Sequence, residues 1–141
     1  MNMNMNNHYY AMFFIMILSG FLSTMNIWAN RLDDVRISLN DIYMVFLMTG
    51  WMFFFMGFYY KNINVIVFGA ILVSFNLYAI RTQLFITQEQ YLLGMIPHHS
   101  MAVLMSERLK EKSNNINSYL NKIITNQTEE IAYMKSLLLN L

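Results

Sequence analysis

The chain has 141 residues, of which 57% are hydrophobic and only 12% charged, a balance that excludes an ordinary soluble domain and requires contact with lipid. Its formal net charge is +1 with no basic cluster, which gives nucleic acid no electrostatic footprint. It has no cysteine, so disulfides, thiolate metal sites and redox dithiols are excluded, and a metal would have to use His, Met, carboxylate or backbone groups.

Residues 1–8 alternate Met and Asn before a histidine and read as a disordered tail. Residues 9–28 form an uncharged apolar run, long enough at about 1.5 Å per residue to cross a hydrocarbon core of about 30 Å. The run lacks the positive flank and small-residue cleavage site of a signal peptide, so it reads as a retained span. Residues 30–40 carry Arg31, Asp33, Asp34 and Arg36 and make a polar connection. A second span follows over 42–60, closed by Tyr59 and Tyr60 as an interfacial belt. After a tight turn at 61–64, a third span runs to Ile80, with Ser74 and Asn76 placed to hydrogen-bond neighbouring helices. Three crossings put the two ends of the chain on opposite sides, out of each other's reach. In the second span Met44, Met48, Met52 and Met56 recur every four residues. Flexible packing explains that stripe, with a thioether ladder for a soft ion as the alternative.

Beyond Arg81 the pattern becomes amphipathic. Thr87 with Gln90 three residues on forms a capping box, opening a helix to about Lys112. Within it lies Gly-Met-Ile-Pro-His-His-Ser-Met-Ala-Val-Leu-Met at 94–105, where Gly94 and Pro97 predict a kink or fresh start. Met95, His98, Met101 and Met105 fall on one helical face and His99 on the next. Ser113, Asn114 and Asn115 make the turn, and a second helix carries Ile116, Leu120, Ile123, Ile124, Gln127, Ile131, Met134 and Leu138 at helical spacing. Counting outward from Asn114 sets His98 opposite Glu130, Met95 opposite Met134 and Met101 opposite Gln127. Imidazole, thioether and carboxylate donors thus meet at one level. The alternative is that the histidines are polar surface and the methionines core filler.

Met95-Ile96-Pro97-His98-His99-Ser100-Met101-Ala102, followed by Gln127, Glu130-Ile131 and Met134, resembles the signature of the domain of unknown function 305 family. The whole chain is similar to a subgroup with three spans before one short hairpin that carries a Ser-Glu-Arg stretch like Ser106-Glu107-Arg108. The resemblance implies a ferritin-like helical bundle and, as in some members, copper binding outside the cytoplasm. It implies His98, His99, Met95, Met101, Met105 and Met134 as metal ligands, with Glu130 and Gln127 as further candidates.

The expected architecture is all-α: a tail (1–8), a three-helix transmembrane region (9–81) and an antiparallel hairpin (82–141) that is half of a ferritin-like four-helix bundle. Many family domains contain four helices, so two hairpins are expected to pair in a homodimer or higher oligomer. Mixed thioether and imidazole donors favour Cu(I), with zinc also open to His98, His99 and Glu130. The residues compose no catalytic constellation, so a binding protein is expected rather than an enzyme. A second resemblance, to Ctr-type copper transporters, rests on three spans, the methionine-rich start and Met48 with Met52. A purely structural hairpin is the third reading. Arg31, Arg36 and Arg81 against Lys61 would place the hairpin in the cytoplasm by the positive-inside rule, whereas the family resemblance places it outside, the orientation expected here.

Overall fold

The apolar runs and the two amphipathic segments all fold as helices in the computed structural model, which describes residues 5–112 and 115–141, with side chains from His8 onward. The helices are α1 (Met5–Leu22), α2 (Leu39–Tyr59), α3 (Ile63–Thr82), α4 (Gln88–Lys110) and α5 (Asn117–Leu138). No strand occurs among the described residues. The chain divides into two compact units: residues up to Thr24 with Asn40–Phe85, and Met25–Leu39 with Ile86–Leu141.

The first unit is three apolar helices. His8–Trp28, Leu39–Tyr59 and Ile63–Thr82 are each long and apolar enough to cross a membrane. The first run is α-helical only as far as Leu22, and Met25–Trp28 is a 3-10 turn. At the other end the helix starts at Met5, inside the stretch expected to be a disordered tail; residues 1–4 lie outside the described residues. Phe13 of α1 sits among Phe46, Phe53 and Phe68, with ring centroids 6.1 to 6.4 Å apart. Glycine sets how closely α2 and α3 approach. A Cβ on Gly69 would strike the Phe54 backbone, and one on Gly57 would strike Ile66. The turn between these helices uses Lys61 at φ 52°, which lets the Asn62 N–H reach the Gly57 carbonyl at 2.9 Å. Asn62 then caps α3 by accepting from the Asn64 and Val65 N–H groups.

Large apolar side chains cover the outside of this unit, among them Phe14, Leu18, Phe55, Ile71 and Phe75, all more than half exposed. Leaving such groups in water costs about 1.5 to 3 kcal/mol each, so their natural solvent is hydrocarbon. Two of the unit's buried polar side chains are satisfied within their own helices. Thr49 and Asn76 donate to the Val45 and Leu72 carbonyls of their own helices at 2.8 Å. Asn76 therefore does not bridge helices as expected, and Ser74 is exposed.

The second unit holds α4, α5 and the connection Met25–Leu39. Leu92, Ile96, Val103, Ile131 and Met134 form its core, with Met95, Ile124, Leu137 and Leu138 packed against it. Thr87 caps α4 by accepting from the Gln90 N–H at 3.3 Å. The capping box is only half formed, because the Gln90 carboxamide accepts from the Leu39 N–H at 2.7 Å instead. α4 runs unbroken through Pro97 rather than restarting there. Gly94 serves packing: a Cβ on it would lie 3.1 Å from Ser38 Oγ. The expected turn at 113–115 lies outside the described residues except for Asn115.

The connection is more than the polar link its sequence suggests. Asn26 clamps its two ends, donating to the Arg36 carbonyl at 2.6 Å and accepting from the Arg36 N–H at 2.9 Å. Its two 3-10 turns, Met25–Trp28 and Leu32–Asp34, pack on α4. The hairpin is thus covered on one side by its own chain.

Candidate metal centre

α4 turns different motif residues to different surroundings. Ile96 and Val103 are buried in the core against α5, and Ser100 is buried toward the connection. His98 and Met105 are exposed, and Met101 is half-buried. Because 98, 101 and 105 share a helical face, one imidazole and two thioethers form an accessible stripe.

His99 lies between the helices. Its side chain is 13% exposed, and its Nδ1 is 2.9 Å from Oε2 of Glu130 on α5. The two helices do bring an imidazole to this carboxylate, but it is His99 and not His98, as the outward count had it. Burial pushes the His99 imidazole below its ordinary value of 6.5; the Glu130 carboxylate opposes this, and His98 adds to the lowering. The 2.9 Å approach is an ion-pair distance without an aligned hydrogen bond; a neutral ring that carried its proton on Nδ1 would turn it toward Glu130 and leave the Nε2 lone pair for a metal.

The remaining predicted residues divide by burial. Met134 belongs to the core and Met95 packs against it. Gln127 is half-buried and Glu130 half exposed. The His98 and His99 ring centroids are 6.1 Å apart. Two imidazoles on one ion, with metal–nitrogen bonds of about 2 Å, can have centroids at most about 6.4 Å apart, so this pair could share an ion only in a nearly linear arrangement or after a side-chain turn. Among the described residues, no three His, Cys, Asp or Glu side chains come together. An ion at this pair would therefore draw on thioethers or on a second copy for further donors.

A neighbouring network escaped the sequence reading. Asp34, 1% exposed, accepts from Ser100 Oγ at 2.7 Å through Oδ2 and pairs with the Lys135 ammonium through Oδ1. Ser100 Oγ also accepts from the Asn30 N–H at 2.8 Å, and Lys135 donates to Asp33 at 2.8 Å. Burial alone would lower the Lys135 ammonium, but the hydrogen bonds and charges of Asp33 and Asp34 outweigh it and hold it above its ordinary value. This network fixes the connection beside the histidines. The one local clue was the Asp33-Asp34 doublet in an almost uncharged half of the chain.

Among the described residues the protein is all-helical, with three helices long and apolar enough to cross a membrane and a hairpin bearing adjacent histidines. The profile of the family described as Domain of unknown function (DUF305) matches residues 77–138. The chain is also 42% identical over 145 residues to Uncharacterized protein L153 of Acanthamoeba polyphaga mimivirus, an alignment covering 95% of this chain and 93% of the relative. The chain belongs to the DUF305 family. No solved structure matches it.

Proposed function

We propose that this is a multi-pass membrane protein that binds copper, as Cu(I), at the His98/His99 end of its hairpin, and that it is a binding protein rather than an enzyme. The observation that carries the reading is the 2.9 Å approach of His99 Nδ1 to Glu130. Carboxylate, histidine and metal in series is the arrangement that fixes a ligating imidazole's tautomer and raises its basicity. Glu130 then orients His99 rather than binding the ion itself. His99 Nε2, His98 and the thioethers of Met101 and Met105 are the accessible donors, a set that suits a soft ion better than Zn²⁺. Met95 and Met134 support the site from the core, and Gln127 flanks it.

Three crossings would put the connection Met25–Leu39 and the hairpin on the same side of the membrane, the condition for Asp34 to meet Ser100. The exposed Ile27, Trp28, Leu32 and Ile37 on that connection suit the lipid interface. We place this side outside the cytoplasm and propose that a second hairpin covers the free flank of α5, where Tyr119 and Tyr133 are exposed. A membrane-impermeant label on Asn115→Cys reads the side, and cross-linking in mild detergent reads the dimer.

Competition with a Cu(I) chelator tests the site. His98→Ala/His99→Ala should remove most Cu(I) binding, while Met101→Leu should weaken it and leave the hairpin folded. Unchanged affinity in the double variant would refute the site, and Zn²⁺ binding without Cu(I) binding would refute the metal.

A further inference from the structure

The methionine stripe of α2 is divided by its surroundings. Met44 and Met48 are 49% and 41% exposed on the outer surface. Met52 and Met56 are half-buried and line a shallow groove of about 480 Å³ together with Met12 of α1, Phe55, Tyr59 and Tyr60. Three methionines from two helices thus line one space. Among the described residues, no carboxylate, imidazole or amine lines it.

That donor set is selective by chemistry. Thioethers are neutral, soft and weak donors, so they hold Cu(I) or Ag(I) and leave Zn²⁺, Mg²⁺ and Ca²⁺ in water. A single positive charge is also the cheapest to bring toward hydrocarbon, and aromatic faces lower the cost further. Tyr59 and Tyr60, with ring centroids 5.0 Å apart, supply such faces. Met56 lies three residues before the end of α2, about 4.5 Å along its axis. Met12 lies in the first half of α1. The groove therefore sits near a helix end and within reach of water.

We propose that Met12, Met52 and Met56 form a sulfur-only site for a soft monovalent cation, Cu(I) or Ag(I). It is separate from the hairpin histidines and does not depend on their reading. Met12 of α1 joins only the Met52–Met56 half of the stripe.

The test uses the full chain in lipid nanodiscs, with the hairpin donors removed by His98→Ala, His99→Ala, Met101→Leu and Met105→Leu. Ag(I) is the probe and ¹³C-methyl methionine resonances are the readout. The expected result is one bound equivalent, equal at pH 7 and pH 5 because thioethers do not take up protons, with shifts at Met12, Met52 and Met56 and none at Met44 or Met48. Adding Met12→Leu, Met52→Leu and Met56→Leu should lower affinity at least tenfold with helicity unchanged, and Met44→Leu/Met48→Leu should leave it intact. No bound equivalent in the hairpin-silenced protein, shifts spread over Met44 and Met48, or full affinity in the leucine variant would each overturn the proposal. Where that variant does not fold, the methyl shifts of its parent decide.

Discussion

Ser100 Oγ donates to Asp34 Oδ2 at 2.7 Å, a bond spanning 66 residues that ties the connection between α1 and α2 to the histidine-bearing helix. Both groups are almost fully buried, and the hydroxyl serves the Asn30 N–H as well. Ser100→Ala therefore leaves a buried carboxylate oxygen and a backbone donor without this partner, a loss of about 1 to 3 kcal/mol. Thermal unfolding in detergent should register it, and amide exchange should quicken over 25–39 before α1–α3 respond. Unchanged protection there would count against the network.

Glu130→Gln keeps shape and removes the charge facing His99. The ring loses its orienting carboxylate, and loss of such a partner costs about 10- to 100-fold in metal affinity. Glu130→Asp, which keeps the carboxylate on a shorter stem, should fall between. Because Glu130 is half exposed, the metal-free hairpin should change little in stability, so affinity and melting temperature should separate. Equal affinity for Glu130→Gln and the parent would refute the orienting role.

The glycines differ in what a methyl group would meet. At Gly69 a Cβ strikes the Phe54 backbone, which cannot move aside as a side chain can. Gly69→Ala should force α2 and α3 apart at a cost of about 1 to 3 kcal/mol. At Gly94 the obstacle is Ser38 Oγ at 3.1 Å, a buried side-chain atom that must give by a few tenths of an ångström. Gly94→Ala also gains helix propensity, which offsets part of that cost, so it should destabilise less than Gly69→Ala. Melting curves of the two variants in one detergent make the comparison.

What the sequence disclosed follows the range of the forces involved. Hydropathy located α1–α3, and a single local hydrogen bond made Thr87 a legible cap. The hairpin register was legible to within one residue. Counting outward from an assumed turn centre cannot separate His98 from His99, and the direction of the Cα–Cβ bonds decides it. The connection was opaque because 3-10 turns leave no periodicity and its partners, Ser100 and Lys135, are distant in sequence. Gly69 carried no visible packing motif because the residues it fits between are on α2.

Acid should weaken copper binding, and the His99 environment sets where. Protons compete with the metal for imidazole nitrogen, so affinity falls once pH drops below the pKa of the free ligand. Burial holds His99 below 6.5 even against the pull of Glu130, so its ligating form survives to lower pH than that of an ordinary histidine. For folding the sign is the same. The unfolded chain takes up the proton at a higher pH than the folded one, so the contribution of His99 is fully present above pH 6.5. It is lost as pH falls through the depressed folded value. Glu130→Gln removes the partner that favours the charged ring and should lower this pKa further. Cu(I) affinity measured from pH 7.5 to 5 should therefore fall at the acid end, with the share carried by His99 persisting to below pH 6.5. The histidine C2 proton resonance of His99 should titrate below that of a histidine in the unfolded chain. A His99 resonance titrating above 6.5 would show that Glu130 outweighs burial; it would reverse the folding sign and move the loss of affinity to higher pH.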